Sequence, residues 1–306
     1  MTSPAIGIDL GGTKTEVILI DDDGGEQARR RVPSPKNDYR ATIETIAELV
    51  AWAEAQADVP CTVGVGHPGS ISPASGLIRN ANSTWLNGQP FGRDLEARLE
   101  RPVAMANDAD CLALSEATDG AGAGARAVFA VIIGTGTGGG LVLDGRPIHG
   151  ANGIAGEWGH NALPWPTPDE FPGPRCWCGK DGCIETWLSG TALGREASRA
   201  FGRPVSGAEA AGAAARGDAT GLDVMHAYAE RFAKASATVI NLFDPDVVVL
   251  GGGVSNVDLL YDLVPPAWQR WVFADRITTR LVRAKHGDSS GVRGAAWLGR
   301  RAATPG

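Results

Sequence analysis

The sequence sets out one unit twice. Ala5 to Ile8 reads as a strand, Asp9-Leu10-Gly11-Gly12-Thr13-Lys14 as a glycine turn, and Thr15 to Ile20 as a second strand ending at Asp21-Asp22-Asp23-Gly24-Gly25. Val128 to Ile133, Gly134-Thr135-Gly136-Thr137-Gly138-Gly139-Gly140, Leu141 to Leu143 and Asp144-Gly145 repeat that order. Apolar runs stopped by Gly and Asp clusters are strand and hairpin signals. A duplicated strand–turn–strand unit predicts two related halves facing one another.

Around these units the pattern alternates. Strands are expected at 26–32, 62–66, 102–106, 246–250 and 281–283. Ile43, Ile46, Ala47, Val50 and Ala53 recur at helical spacing, and further helices are expected at 91–100, 108–119, 189–200, 206–215, 218–242, 257–263, 265–272 and 291–299. Alternating strands and helices predict an α/β architecture. Residues 70–90 read as a long exposed loop, and 150–187 hold little regular structure. The Gly/Ala-rich stretch Gly120 to Gly124 marks the expected boundary between a domain of 1–119, completed by a C-terminal helix 291–306, and a larger domain of 120–290.

Charge narrows the partners. The 28 Lys+Arg against 35 Asp+Glu give −7, the wrong sign for a non-specific nucleic-acid binder. No apolar run reaches the roughly 18 residues of a membrane span. Met1-Thr2-Ser3-Pro4 shows neither a basic region nor an apolar core, so a secretory signal is not expected and the cytoplasm is the expected compartment.

The glycine turns are candidate phosphate sites. Small residues let consecutive N–H groups approach phosphate oxygens, the Thr13 hydroxyl and Lys14 ammonium add donors, and Asp9 could hold a hydrated Mg²⁺. A plain hairpin needing positive φ is the alternative for any one turn; three such turns after apolar strands favour a nucleotide. No G-x-x-x-x-G-K-[ST] occurs. Gly134 to Gly139 matches G-x-G-x-x-G, but a strand follows where a dinucleotide fold needs a helix. Gly251-Gly252-Gly253, after the strand 246–250, can bring backbone close to an adenosine.

His160, Cys176, Cys178 and Cys183 give H-x15-C-x-C-x4-C, the donor set of a closed Cys3His zinc site, with Gly179 and Gly182 allowing a tight knuckle. Four protein ligands leave no open position, so such a zinc is structural. Cys61 and Cys111 read as core residues. Asn107-Asp108 sits where a strand ends and a helix starts, the usual place for a ligand in an α/β sheet. Asp108 reads either as a helix cap or as a general base taking a proton from a sugar hydroxyl. Glu157, His160, Glu185, Asn80, Asn82 and Asn107 offer partners for sugar hydroxyls. Trp85 reads as a sugar-stacking ring or a core anchor. The polar run Ala284 to Gly291 has no role legible from its chemistry.

Asp9-Leu10-Gly11-Gly12-Thr13-Lys14, Gly156-Glu157-Trp158-Gly159-His160 and Cys176-x-Cys178-Gly179-x-x-Gly182-Cys183-x-Glu185 together resemble the ROK family (repressors, unclassified frames and sugar kinases), over essentially the whole chain. Residues 80–88 and 285–297 look most like its bacterial fructokinase or manno(fructo)kinase branch. The resemblance implies an actin/hexokinase-like (ribonuclease H-like) fold, with two α/β domains flanking an ATP cleft. It implies Asp108 as catalytic base, and Gly69, Asn82, Asn107, Asp108, Glu157, His160 and Glu185 at the sugar. Asp9, Gly11, Gly12, Thr13, Lys14, Gly134, Thr135, Gly136 and Thr137 would serve the phosphates and Gly251 and Gly252 the adenosine. His160, Cys176, Cys178 and Cys183 would hold the zinc.

The implied activity is transfer of the γ-phosphoryl of ATP, with Mg²⁺, to the 6-hydroxyl of a hexose, fructose first, by a homodimer with no nucleic-acid or membrane partner. Glucokinase and N-acetylhexosamine kinase are the alternatives within the family. A sugar-responsive repressor would need a helix-turn-helix ahead of the first glycine turn, where this sequence has only Met1 to Pro4 before its first strand. The Pro-rich run 164–174 departs from the family pattern and is expected to reshape the rim of the sugar pocket.

Overall fold

The computed structural model describes residues 4–57, 59–287 and 290–303. Chain order begins β1 (Ala5–Leu10), β2 (Lys14–Ile20), β3 (Glu26–Pro33), α1 (Tyr39–Ala57), β4 (Thr62–His67), β5 (Ser70–Ile71), β6 (Ile78–Arg79), α2 (Phe91–Leu99), β7 (Ala104–Asn107) and α3 (Asp108–Thr118). It continues with β8 (Ala127–Ile133), β9 (Thr137–Leu143), β10 (Arg146–Pro147), α4 (Glu185–Leu188), α5 (Gly190–Phe201), α6 (Gly207–Ala215), α7 (Ala219–Phe243), β11 (Val247–Gly251), α8 (Leu259–Trp268), β12 (Arg280–Arg283) and α9 (Ser290–Ala303).

The repeat in sequence is a repeat of topology. One sheet runs β3-β2-β1-β4-β7 and the other β10-β9-β8-β11-β12. In each, a glycine-turn hairpin is antiparallel and the next two strands add in parallel. The central strands β8 and β11 are almost wholly buried, which is why they read as unbroken apolar runs.

Helix α9 lies on the first sheet almost backbone to backbone. Gly7 and Gly64 are register partners. A Cβ on Gly7 would come within 2.0 Å of the Val292 carbonyl oxygen, and one on Gly64 within 1.9 Å of that of Ala295. Gly294 meets α3 as closely, 1.7 Å from the Cys111 oxygen. Helix α3 also packs on β8 and β9, so it touches both sheets.

The unread run 284–291 has a structural task. Glu116 of α3 is fully buried and accepts from the N–H groups of Lys285 (2.9 Å) and His286 (3.2 Å) and from the Ser290 hydroxyl (2.8 Å). Asp119 adds His286 Nε2 at 3.0 Å and the Arg293 guanidinium. Asp288 and Ser289 of that run, Met1 to Ser3, and the last three residues of the expected helix 291–306 lie outside the described residues.

Several expectations need correcting. Residues 70–90 are not a long exposed loop: they hold the β5–β6 hairpin and a short 3₁₀ turn at Thr84–Leu86, and bury Ile78, Ala81 and Leu86. The two helices expected at 257–263 and 265–272 are one, with Pro265 and Pro266 inside it. Burial of Leu260, Val264 and Trp268 on one face outweighs the lost N–H groups. No residue of the Pro-rich run lines the large cavity, but the run backs the knuckle that does, the Gly182 N–H donating to the Pro174 carbonyl at 2.9 Å. Glu170 ties it to α7 through Arg231 (2.7 Å) and Lys234 (3.2 Å), and Trp165 stacks on Trp271 at 5.1 Å.

Candidate active site

Three adjoining cavities lie where the two glycine turns face one another. The largest, about 630 Å³, is lined by Gly69, Asn82, Asn107, Asp108, Glu157, His160 and Glu185, together with Gly134 to Thr137. All seven residues expected at the sugar and all four of the second glycine turn therefore share one space. A second cavity, about 250 Å³, is walled by Asp9, Gly11, Gly12, Lys14 and Gly252, and shares Asn82 and Asp108 with the first. Thr13 and Gly251 line none of the three. The Thr13 side chain is exposed while its carbonyl accepts from Ser34, and Gly251 is buried against Leu112.

The third cavity, about 550 Å³, was not legible. It joins the first at Gly134 and is walled by small residues of α5 and α6, including Gly190, Ala208, Ala211 and Gly212, and by Val254 and Leu259. The signal was there in the Ala/Gly composition of 207–215, which fits helix and so drew no chemical reading. A flat apolar group can approach a helix only where side chains are this small.

Asp108 opens α3. Asn107 is the N-cap, its side chain accepting from the Asp110 N–H at 2.6 Å. Asp108 is thus spared the capping task and turns its carboxylate to the cleft, one oxygen accepting from the Ala109 N–H at 2.8 Å. Cleft water reaches it, yet protein surrounds it at longer range. That desolvation, reinforced by the charges of Glu157 and Asp110, pushes its carboxyl up to about 6. Asp9, at the end of β1, is pushed up to about 7 by burial and by the charges of Asp108 and Glu16, against which Lys14 and Arg31 pull. Burial also raises Glu157. Carboxylates forced together in this way favour a divalent cation between them and a phosphate.

Glu157 is placed by close backbone packing. Gly156 has φ of +90°, and a Cβ there would stand 2.2 Å from the Gly139 oxygen, so only glycine lets this loop lie on β9. Earlier in the same loop, His149 Nδ1 meets Asp110 at 3.1 Å and fastens the segment to α3. Burial raises the Asp110 carboxyl, and its hydrogen bond to Asp110 raises His149.

Glu185 opens α4 and has both oxygens engaged. One accepts from the Thr137 N–H at 3.0 Å and the other from the Trp177 indole at 2.7 Å. Trp177 and Lys180 line the large cavity, and sequence reasoning missed both because they fall at positions that the cysteine–glycine pattern leaves unspecified. Trp85, by contrast, is a core anchor: its indole donates to Thr42 at 3.2 Å and it packs in the N-terminal core.

The donor atoms of His160, Cys176, Cys178 and Cys183 all lie within 4.8 Å of one another. Cys178 and Cys183 sulfurs are 3.6 Å apart, as are Cys176 Sγ and His160 Nδ1. Ligands about 2.0–2.3 Å from a tetrahedral centre are separated by about 3.5–4 Å, so the set fits zinc. All three cysteines are free thiols. With Nδ1 on the sulfur side of the ring, a metal held there would leave Nε2 of His160 for another partner. Cys61 and Cys111 are buried elsewhere.

A model of the ROK family matches residues 5–302. The chain is similar to the N-acetyl-D-glucosamine kinase of Pectobacterium atrosepticum, 37% identical over 95% of this chain and 97% of that protein. Among solved structures it resembles the ROK hexokinase from Thermus thermophilus, with 35% identity, 96% of this chain and 97% of that one covered, and a TM-score of 0.85. It also resembles a ROK family glucokinase from Streptomyces griseus in complex with glucose and AMPPNP, with 30% identity, 97% and 99% coverage, and a TM-score of 0.79. The fold is the actin/hexokinase-like α/β fold.

Proposed function

The chain belongs to the ROK family, and from that premise we propose that it is a sugar kinase moving the γ-phosphoryl of ATP to the 6-hydroxyl of an aldohexose. The observation that carries this reading is Asp108 on the wall shared by the large cavity and the one at Asp9, between the two glycine turns. The relatives are named for N-acetylglucosamine, hexose and glucose. The substrate reading therefore moves from fructose to N-acetylglucosamine first and glucose second.

In this reading the sugar occupies the large cavity, with hydroxyls on Asn82, Asn107, Glu157, His160 and Glu185. The apolar cavity between α5, α6 and the 253–259 segment receives the adenosine, and the glycine turns hold the phosphates. Asp108 accepts the proton of the 6-hydroxyl as it attacks phosphorus. Its raised carboxyl suits a base that must lose and regain a proton near neutral pH. Asp9 is the residue to hold a hydrated Mg²⁺, which when bound neutralises charge on the phosphates. Backbone N–H groups of the turns stabilise the transferring group without reorganising. Zinc on His160 and the three cysteines pins the knuckle beside the sugar.

Residues 1–119 with 291–306, and residues 120–290, are read as the two domains that close on the substrates, a motion that would exclude water from the transfer. A cytoplasmic homodimer completes the reading. Among the described residues no helix is long and apolar enough to cross a membrane.

ADP release from Mg-ATP with fructose, mannose, glucose, N-acetylglucosamine and N-acetylmannosamine tests the activity. The expected result is the highest kcat/KM with N-acetylglucosamine. No release with any sugar, from folded and zinc-loaded protein, overturns the kinase reading. Light scattering in solution reads the dimer.

A further inference from the structure

The large cavity is lined mainly by polar side chains and glycines; its apolar side chains are Ala109 and Ile132 near Asp108 and, at the knuckle, Trp177. Asn80, Asn82, Asn107 and Glu157 present amides and carboxylates, whereas Trp177 presents an indole that is 67% exposed. An exposed indole usually wanders, but this one is held at both ends. Its N–H donates to Glu185 at 2.7 Å, and its ring stands edge-on to His160 with centroids 4.9 Å apart. Its two flanking residues, Cys176 and Cys178, belong to the cysteine knuckle. The ring is thus a fixed apolar wall with nothing packed on its open side.

Resting on the sugar-kinase reading, we propose that Trp177 is the specificity-determining residue that accepts an apolar substituent on the sugar, the methyl of a 2-acetamido group. A hexose whose 6-hydroxyl lies at Asp108 runs across the cavity toward the knuckle. Its far edge, C1 and C2, then meets Glu185, His160 and Trp177. A plain hexose offers only hydroxyls there, which Glu185 and His160 satisfy without the indole. The acetamido methyl is the one group on such a sugar that gains by leaving water for an aromatic face. Removing a wall that contacts one methyl changes discrimination by about tenfold or more.

Calorimetric titration of zinc-loaded protein with N-acetylglucosamine and with glucose, in the absence of ATP, reads the assignment. Trp177→Ala is expected to lower the ratio of the two affinities about tenfold. Trp177→Gln keeps a donor for Glu185 without the aromatic face, so it is expected to lower the ratio as far even if the alanine variant loses its metal. Trp177→Phe keeps a face and loses the N–H, so it weakens both sugars alike and holds the ratio. A ratio unmoved in the alanine and glutamine variants overturns the assignment, as does wild-type protein that binds no N-acetylhexosamine. Sugar binding without ADP release would instead overturn the kinase reading and leave Trp177 to be judged on the ratio alone.

Discussion

Thr137 gives its backbone N–H to one oxygen of Glu185, at 3.0 Å, so the first residue of α4 closes the turn between β8 and β9. The same carboxylate holds Trp177 with its other oxygen. A residue expected only to bind sugar therefore also shapes the loop expected to hold phosphate. Glu185→Ala is expected to raise KM for both ATP and sugar, each about tenfold, as loss of hydrogen bonds to a charged group implies. Glu185→Gln keeps an acceptor and should do less. Steady-state kinetics with each substrate varied in turn checks this; a change confined to the sugar KM would separate the two tasks.

Asp108→Asn is expected to cut kcat by about 10²–10⁴ while sugar affinity changes little, because the amide keeps the shape but cannot take the proton. The wild-type profile follows from its carboxyl at about 6. Below that pH the group is protonated and cannot act as base, so kcat/KM should fall tenfold per pH unit and level off above it. A rate flat from pH 5 to 8 would remove Asp108 from that role.

The raised carboxyls of Asp9 and Asp108 also bear on stability. Their folded values, about 7 and about 6, lie above the ordinary 3.8, so the folded state holds more protons between those limits. Stability is therefore lost as pH rises through that window. Asp9→Asn is expected to melt higher than wild type at pH 8, by about 2 °C or more, with the difference vanishing near pH 4. Calorimetric melts at the two pH values measure it.

Cys178→Ser is expected to release zinc and to lower the melting temperature by about 5 °C or more, since a structural metal contributes directly to folding. Atomic spectroscopy should find one zinc per wild-type chain and much less in the variant. Because His160 is held by the same centre, sugar affinity should fall with the metal and return when a wild-type chain stripped by chelator is reloaded.

His149 is fastened to Asp110, and this hydrogen bond raises its pKa. Such a pair contributes fully below the ordinary value of 6.5 and fades as pH rises through the raised folded value. The ring is half exposed, so solvent screening keeps the effect to about half a kcal/mol. His149→Ala should cost more stability at pH 6 than at pH 9, read by denaturant melts at both.

Much of the architecture was legible because its signals are local. Strands next to glycine turns, the strand-to-helix junction at Asn107-Asp108 and the spacing of three cysteines each lie within a dozen residues, although the cap of α3 proved to be Asn107 and not Asp108. The cavity between α5, α6 and the 253–259 segment was not legible, since it arises from small residues on separate elements whose only shared property is what they leave empty. Residues 70–90 misled because Ser, Asn and Gly mark loops whether or not the loop packs inward, as Ala81 and Leu86 do here. The run 284–291 stayed silent for a related reason: its partner, Glu116, is far away in sequence and nothing in either segment names the other. Trp85 could be placed only by seeing Thr42 beside it.

Helix α3 packs on the first sheet's companion α9 and on β8 and β9 of the second sheet. Were the two halves to move, this helix would be the axle common to both, and Asp108 is its first residue. If one half swings against the other, the glycine turns and their phosphates travel along an arc, while the base stays near the axis and barely moves. The distance that changes most is then between nucleotide and sugar, not between sugar and base. The hub at Glu116 and the close approach at Gly294 are what tie that axle to the 284–291 run and to α9, so a change at either would reach the alignment of the two substrates without touching the cleft.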